Sequence, residues 1–139
     1  VPSARARFDG GGAAAVLRAA VEVLKAEGLS VSACGPTRVA TRSAELDLPC
    51  ETGACLTRES VVVRVGYRMA TVEVSREAWN ATARTWDREL SEAAIAGTLR
   101  REETLLMRIL QAREGYRAPL QPAECDSSTP STQEGSASN

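Results

Sequence analysis

Histidine is absent from the 139 residues, and lysine occurs once, at Lys25. Without imidazole the chain lacks the commonest general base, the commonest zinc ligand and the usual switch near neutral pH. Serine–histidine and cysteine–histidine catalysis are therefore excluded. Aromatic residues make up only 4% of the chain. A core must be built from aliphatic side chains, many of them alanine, and each alanine buries little area. No apolar run approaches the length of about 18 residues that marks a membrane-spanning helix.

Charge is nearly balanced, with a formal net value of −1. That argues against a strong, sequence-independent grip on nucleic acid or anionic lipid. Arginine far outnumbers lysine, which reads first as a GC-rich coding bias. The length suits one domain with a single two-layer core. The chain begins at Val1 rather than at methionine, which fits a processed or trimmed product. Val31-Ser32-Ala33-Cys34 has the form of a bacterial lipid-attachment box. Arg18, Glu22, Lys25 and Glu27 precede it, and no signal segment tolerates them, so the match is a decoy.

The richest stretch is Glu59 to Trp86, with the densest β-branched run, Tyr67 and both tryptophans. Upstream, residues 1–12 read as a flexible lead. Ala13 to Glu27 predicts a helix, with Ala14, Leu17, Val21 and Leu24 on one stripe and Gly28 as its stop. Strands are predicted over Leu29–Ala33, Thr37–Leu46, Glu59–Val65 and Thr71–Val74. Gly66 to Met69 reads either as a tight turn or as continuous strand. Ser75 to Leu90 is ambiguous between a helix carrying Trp79, Ala83, Trp86 and Leu90, and a hairpin turning near Asn80. The hairpin is preferred, with Trp86 pointing inward, because the sheet needs another strand. A second helix follows from Thr98, with Leu99, Leu106, Ile109 and Leu110 on its stripe.

These elements predict an α+β fold: a two-layer sandwich of three to five antiparallel strands, with two helices on one face. Residues 13–115 form the single domain. The Pro/Ser/Thr-rich tail, 116–139, is expected to be mostly disordered, because nothing in Asp126 to Asn139 can bury enough apolar surface to order itself.

No catalytic constellation emerges. Glu102 and Glu103, with Glu89 and Glu92 upstream, lie among Arg100, Arg101 and Arg108, and read as a solvated helix face. Gly10-Gly11-Gly12 lacks the strand before it and the lysine after it that a phosphate loop needs. An enzyme is not expected, nor is any cofactor or metal. The four cysteines, Cys34, Cys50, Cys55 and Cys125, fit two disulfides better than free thiols or zinc. The preferred pairing is Cys50–Cys55 with Cys34–Cys125. Asn80-Ala81-Thr82 has the form of a glycosylation acceptor, although a turn asparagine is the plainer reading. Tyr67, Met69, Trp79 and Trp86 are the interface candidates. With so few other large residues, burial of both tryptophans in the core is the first expectation.

One resemblance is architectural. A helix ending at Gly28-Leu29, a hairpin over Tyr67 to Val74, a tryptophan-bearing return over Asn80 to Trp86 and a helix over Leu105 to Leu110 follow in order. This order resembles small periplasmic α/β domains of bacterial outer-membrane lipoproteins, including the lipopolysaccharide-assembly type. The resemblance implies a non-enzymatic binding or scaffolding part and supplies no site residues. The chain departs from it in lacking an N-terminal lipidated cysteine and in carrying the extra cysteine loop. The expectation is a secreted or periplasmic domain of the cell envelope that contacts another protein or an envelope component. The alternative is a cytoplasmic adaptor or RNA-binding-like α-β-β-β-α module with reduced cysteines, although no strong nucleic-acid signal is present.

Overall fold

The computed structural model describes residues 3–8, 12–50 and 53–115. In chain order these form β1 (Ala4–Arg7), α1 (Gly12–Ala26), β2 (Val31–Cys34), β3 (Arg38–Thr41), β4 (Ala44–Cys50), β5 (Gly53–Gly66), β6 (Met69–Asn80), β7 (Thr85–Arg88) and α2 (Glu92–Arg113). The fold is α+β, with one antiparallel sheet of seven strands and two helices.

Strands β5 and β6 form the axis of the sheet. Val61, Val63 and Val65 alternate to one face of β5, and Ala70, Val72 and Val74 to the same face of β6; all are buried. The two strands pair from Gly66↔Met69 to Thr57↔Ala78 without a slip. Their turn, Tyr67-Arg68, has Arg68 at φ 54°. The tight-turn reading of Gly66 to Met69 is the one adopted. Near this turn β5 is flanked by β3 and β6 by β1, giving the order β1-β6-β5-β3-β2. Farther along, β4 takes over beside β5, and β7 takes over beside β6.

Helix α1 buries Val16, Leu17, Val21, Val23 and Leu24. It ends in paired closing bonds: Leu29 N–H donates to the Leu24 carbonyl and Gly28 N–H to that of Lys25. Gly28 sits at φ +85°, where a glycine costs nothing and other residues strain. Helix α2 starts at Ser91, whose hydroxyl accepts from Ala94 N–H, and buries Leu105, Leu106 and Ile109. Side chains of both helices join the inward valines and Phe8 in one core. The helices contact β1, β2, β3, β5 and β6, whereas β4 and β7 project beyond them.

Several expectations are corrected. The sheet has seven strands rather than three to five. Residues 4–7, expected in a mobile lead, pair with β6; Ala4 and Ala6 face inward while Arg5 and Arg7 face out. A four-residue arginine-bearing segment suits an edge strand, where charge hinders further pairing. The single strand expected over Thr37–Leu46 is two, β3 and β4, separated by Arg42-Ser43, with a one-residue change of register against β5. The α-β-β-β-α order of the alternative module is not the order found. The 116–139 tail and the Cys125 bridge lie outside the described residues.

Two side-chain oxygens close the ladders where flanking strands end. At the last residue of β3, the Thr41 hydroxyl accepts from Val61 N–H at 2.9 Å. Beyond β1, the Glu102 carboxylate accepts from Val74 N–H at 2.8 Å and Ala4 N–H at 3.3 Å. A buried N–H left without an acceptor costs about 1–3 kcal/mol. Thr41→Val is therefore expected to lower unfolding free energy by about that amount, measured by urea denaturation, while Thr41→Ser retains most of it. An unchanged midpoint in Thr41→Val would mean that Val61 finds another acceptor.

Candidate interaction surface on the open sheet face

Because strand side chains alternate, the β5 and β6 residues between the buried ones form a second face, which neither α1 nor α2 covers. Where β4–β7 project past the helices, Trp79 of β6 and Trp86 of β7 pair directly across this face. Their ring centroids lie 5.3 Å apart at 59°. The Arg58 guanidinium stands 4.6 Å from the Trp86 ring and binds Glu77 at 2.7 Å. Glu45, Arg58, Glu77 and Arg88 form one cross-strand row of alternating charge. Leu56 adds apolar surface beside them and Trp79 is 39% exposed.

The tryptophans are thus not core, and Trp86 does not point inward. The core needed neither ring, because α1, α2 and the inward valines fill the space between the layers. The hairpin reading of residues 75–90 is the one adopted. Its loop is organised by Asn80, whose Oδ1 accepts from Thr82 and Ala83 N–H and whose amide donates to Asp87. That is the turn role expected for Asn80.

The other two interface candidates lie elsewhere. Tyr67 is 85% exposed at the β5–β6 turn, and Met69 begins β6 beside it. Ten residues of strand separate Met69 from Trp79, about 34 Å at the usual rise. The four residues therefore do not form one site.

The Cys50–Cys55 disulfide closes the β4–β5 turn, with Cα atoms 5.9 Å apart. Cys34 is disulfide-bonded as well. So short a covalent loop stabilises by about 2 kcal/mol on the chain-entropy estimate. The paired substitution Cys50→Ser/Cys55→Ser is expected to lower unfolding free energy by about that amount without altering the helices, as read by urea titration and circular dichroism. A wild-type midpoint would show that the bridge adds nothing to the hairpin.

On the opposite, helix-covered face lies an ion-pair chain that sequence reading missed. Arg76 binds Glu59 at 2.8 Å, and Arg101 joins Glu59 at 3.3 Å to Glu27 at 2.6 Å. Arg108 also binds Glu27. Glu59 is only 3% exposed and Glu102 only 2%, so the solvated-face reading fails for Glu102. These groups link α1, α2, β5 and β6, and each buried carboxylate is partnered, which suits a structural role. Hydrogen bonding from Arg101 holds the Glu27 carboxyl below its ordinary range, outweighing burial. Burial raises that of Glu102, against the opposing bonds from Val74 and Ala4 N–H.

The two groups act oppositely on stability. The Glu27 contribution is present above the unfolded pKa and lost as pH falls through the depressed folded value. The Glu102 contribution is present below the unfolded pKa and lost as pH rises through the raised folded value. Glu27→Gln is therefore expected to be less stable at neutral pH yet to lose less on acidification, as measured by denaturation midpoints from pH 7 to 3. Parallel pH profiles in variant and wild type would refute this.

Among the described residues no cluster of histidine, cysteine or carboxylate side chains could hold a metal ion. Nor is any described helix long and apolar enough to cross a membrane. No protein-family model matches the chain, and no curated protein matches it. Among solved structures it is similar to a TBP-like protein from Parabacteroides distasonis ATCC 8503, with a TM-score of 0.53. The match covers 84% of this chain and 93% of that one at 10% identity, a likeness of fold alone.

Proposed function

We propose that the chain is a non-enzymatic binding or scaffolding domain of a secreted or cell-envelope protein. It acts by contact with another protein or an envelope component. One observation carries the reading: the chain's two tryptophans stand together on the sheet face that α1 and α2 leave uncovered, with Leu56 and Arg58 beside them. Aromatic residues and arginine are the side chains that anchor protein contacts, because they supply large area at small entropic cost. In a chain this poor in aromatics, placing both tryptophans outside the core forgoes stability that burial would have supplied. The Cys50–Cys55 bridge accords with an oxidising compartment.

The test compares capture from an envelope extract by the oxidised wild-type protein and by the Trp79→Ala/Trp86→Ala variant. Truncating such anchors at an interface costs about 2 kcal/mol or more each, so capture is expected to fall at least tenfold. Matched helix content and cooperative unfolding would show that the variant is folded. Undiminished capture by a folded variant would remove the tryptophan face from the binding mechanism.

A further inference from the structure

The balanced net charge of the chain conceals a segregation on its open face. At the turn end of the sheet, cross-strand register places Arg5, Thr71, Arg64 and Arg38 in one row over β1, β6, β5 and β3. Three strand spacings make that row about 14 Å wide. Arg7 lies in the adjoining row opposite Met69. Among the described residues Glu73 is the one acidic strand residue on this half of the face, and it is taken up by Arg64 and the Ser3 hydroxyl. Arg5, Arg7 and Arg38 are exposed and have no ion-pair partner among the described residues. Arg38 sits directly opposite Arg64. Like charges in that position disfavour the sheet, so folding does not account for them.

The occupant of such a patch is anionic, and its extent says which kind. The projecting half of the same face carries Glu45, Asp47 and Glu77 beside Arg58 and Arg88. A long polyanion laid along the sheet would run from arginines onto these carboxylates, whereas a layer of headgroups touches one end only. At that end Tyr67 protrudes from the turn, 85% exposed, with the Arg68 guanidinium 5.4 Å from its ring. An exposed tyrosine flanked by arginines suits the boundary between headgroups and acyl chains.

We propose that the Arg5–Arg7–Arg38–Arg64 patch, with Tyr67 at its rim, docks this domain on a membrane surface of anionic phospholipid. The proposal deepens the envelope-contact reading and rests on it, but uses the opposite end of the sheet from the tryptophans.

Sedimentation of the full oxidised chain with phosphatidylcholine vesicles, with and without phosphatidylglycerol, tests it. Binding is expected only to the anionic vesicles, and it weakens as salt rises. Each arginine at an anionic surface changes partitioning about fivefold. Arg5→Gln/Arg7→Gln should therefore bind about 25-fold less, while Arg88→Gln on the projecting half binds as wild type does. All these side chains are exposed, so the variants keep the fold, and matching thermal transitions check this. Absence of binding to the anionic vesicles overturns the proposal, as does equal binding to neutral ones. Equal losses in Arg88→Gln would reduce the effect to net charge and overturn it too. So would tighter binding to a single-stranded oligonucleotide than to vesicles. Vesicle binding that fails while the tryptophan-dependent capture persists discards this patch and leaves the broader reading standing. Loss of that capture with vesicle binding intact does the reverse.

Discussion

The structure depends on the pairing of β5 with β6. Ten consecutive residues of each strand face one another without a slip, pinned at one end by the two-residue turn Tyr67-Arg68. A one-residue slip of β5 would rotate Val61, Val63 and Val65 from the core to water, and a slip of β6 would do the same to Val72 and Val74, so burial holds the register as firmly as the turn does. Every other strand except β2 hangs from this hairpin, and β2 is reached through β3. The hairpin is also longer than the helix layer. One half of it is covered by the helices on one face, and the other forms a projecting four-stranded platform of β4, β5, β6 and β7.

That mismatch in length explains the buried polar groups. Where β1 and β3 end, the central strands still present backbone donors to the interior. Glu102 and Thr41 supply acceptors there because water cannot enter. Where the helices end, the inward face of the sheet changes from valine to charge. Glu59 follows the buried valine column on β5 and needs Arg76 and Arg101 to be tolerated below the surface. The same chain of ion pairs reaches Glu27 at the end of α1, so it holds the two helices together at the edge of the apolar core.

The face that the two helices leave open carries two different surfaces at its two ends. The projecting end offers aromatic area within an alternating ladder of charge, which suits a protein contact. The turn end offers arginine in excess, which suits an anionic surface. A nearly balanced sum over the chain is compatible with both, because charge acts locally within a screening length of about 8–10 Å. Composition alone could argue only against a global attraction.

Much of the architecture was legible in the sequence, for identifiable reasons. The valine alternation of β5, the apolar stripe of α1 ending at Gly28, and the asparagine of the second hairpin are local patterns, each decided by neighbours in the chain. The disulfide between Cys50 and Cys55 is similarly local. Strand β1 was hidden because an edge strand of alternating alanine and arginine looks like a polar lead. The break between β3 and β4 was hidden because it depends on how each pairs with β5. Glu102 stands three and four residues before Leu105 and Leu106, on the stripe itself, and that spacing could have marked it as inward. The two tryptophans are the clearest case of what sequence cannot decide. Their number and spacing were visible, but which face of the sheet the helices cover is set by long-range pairing and packing. The sequence by itself determined which residues alternate together; only the tertiary structure decided which set meets the helices and which set they leave uncovered.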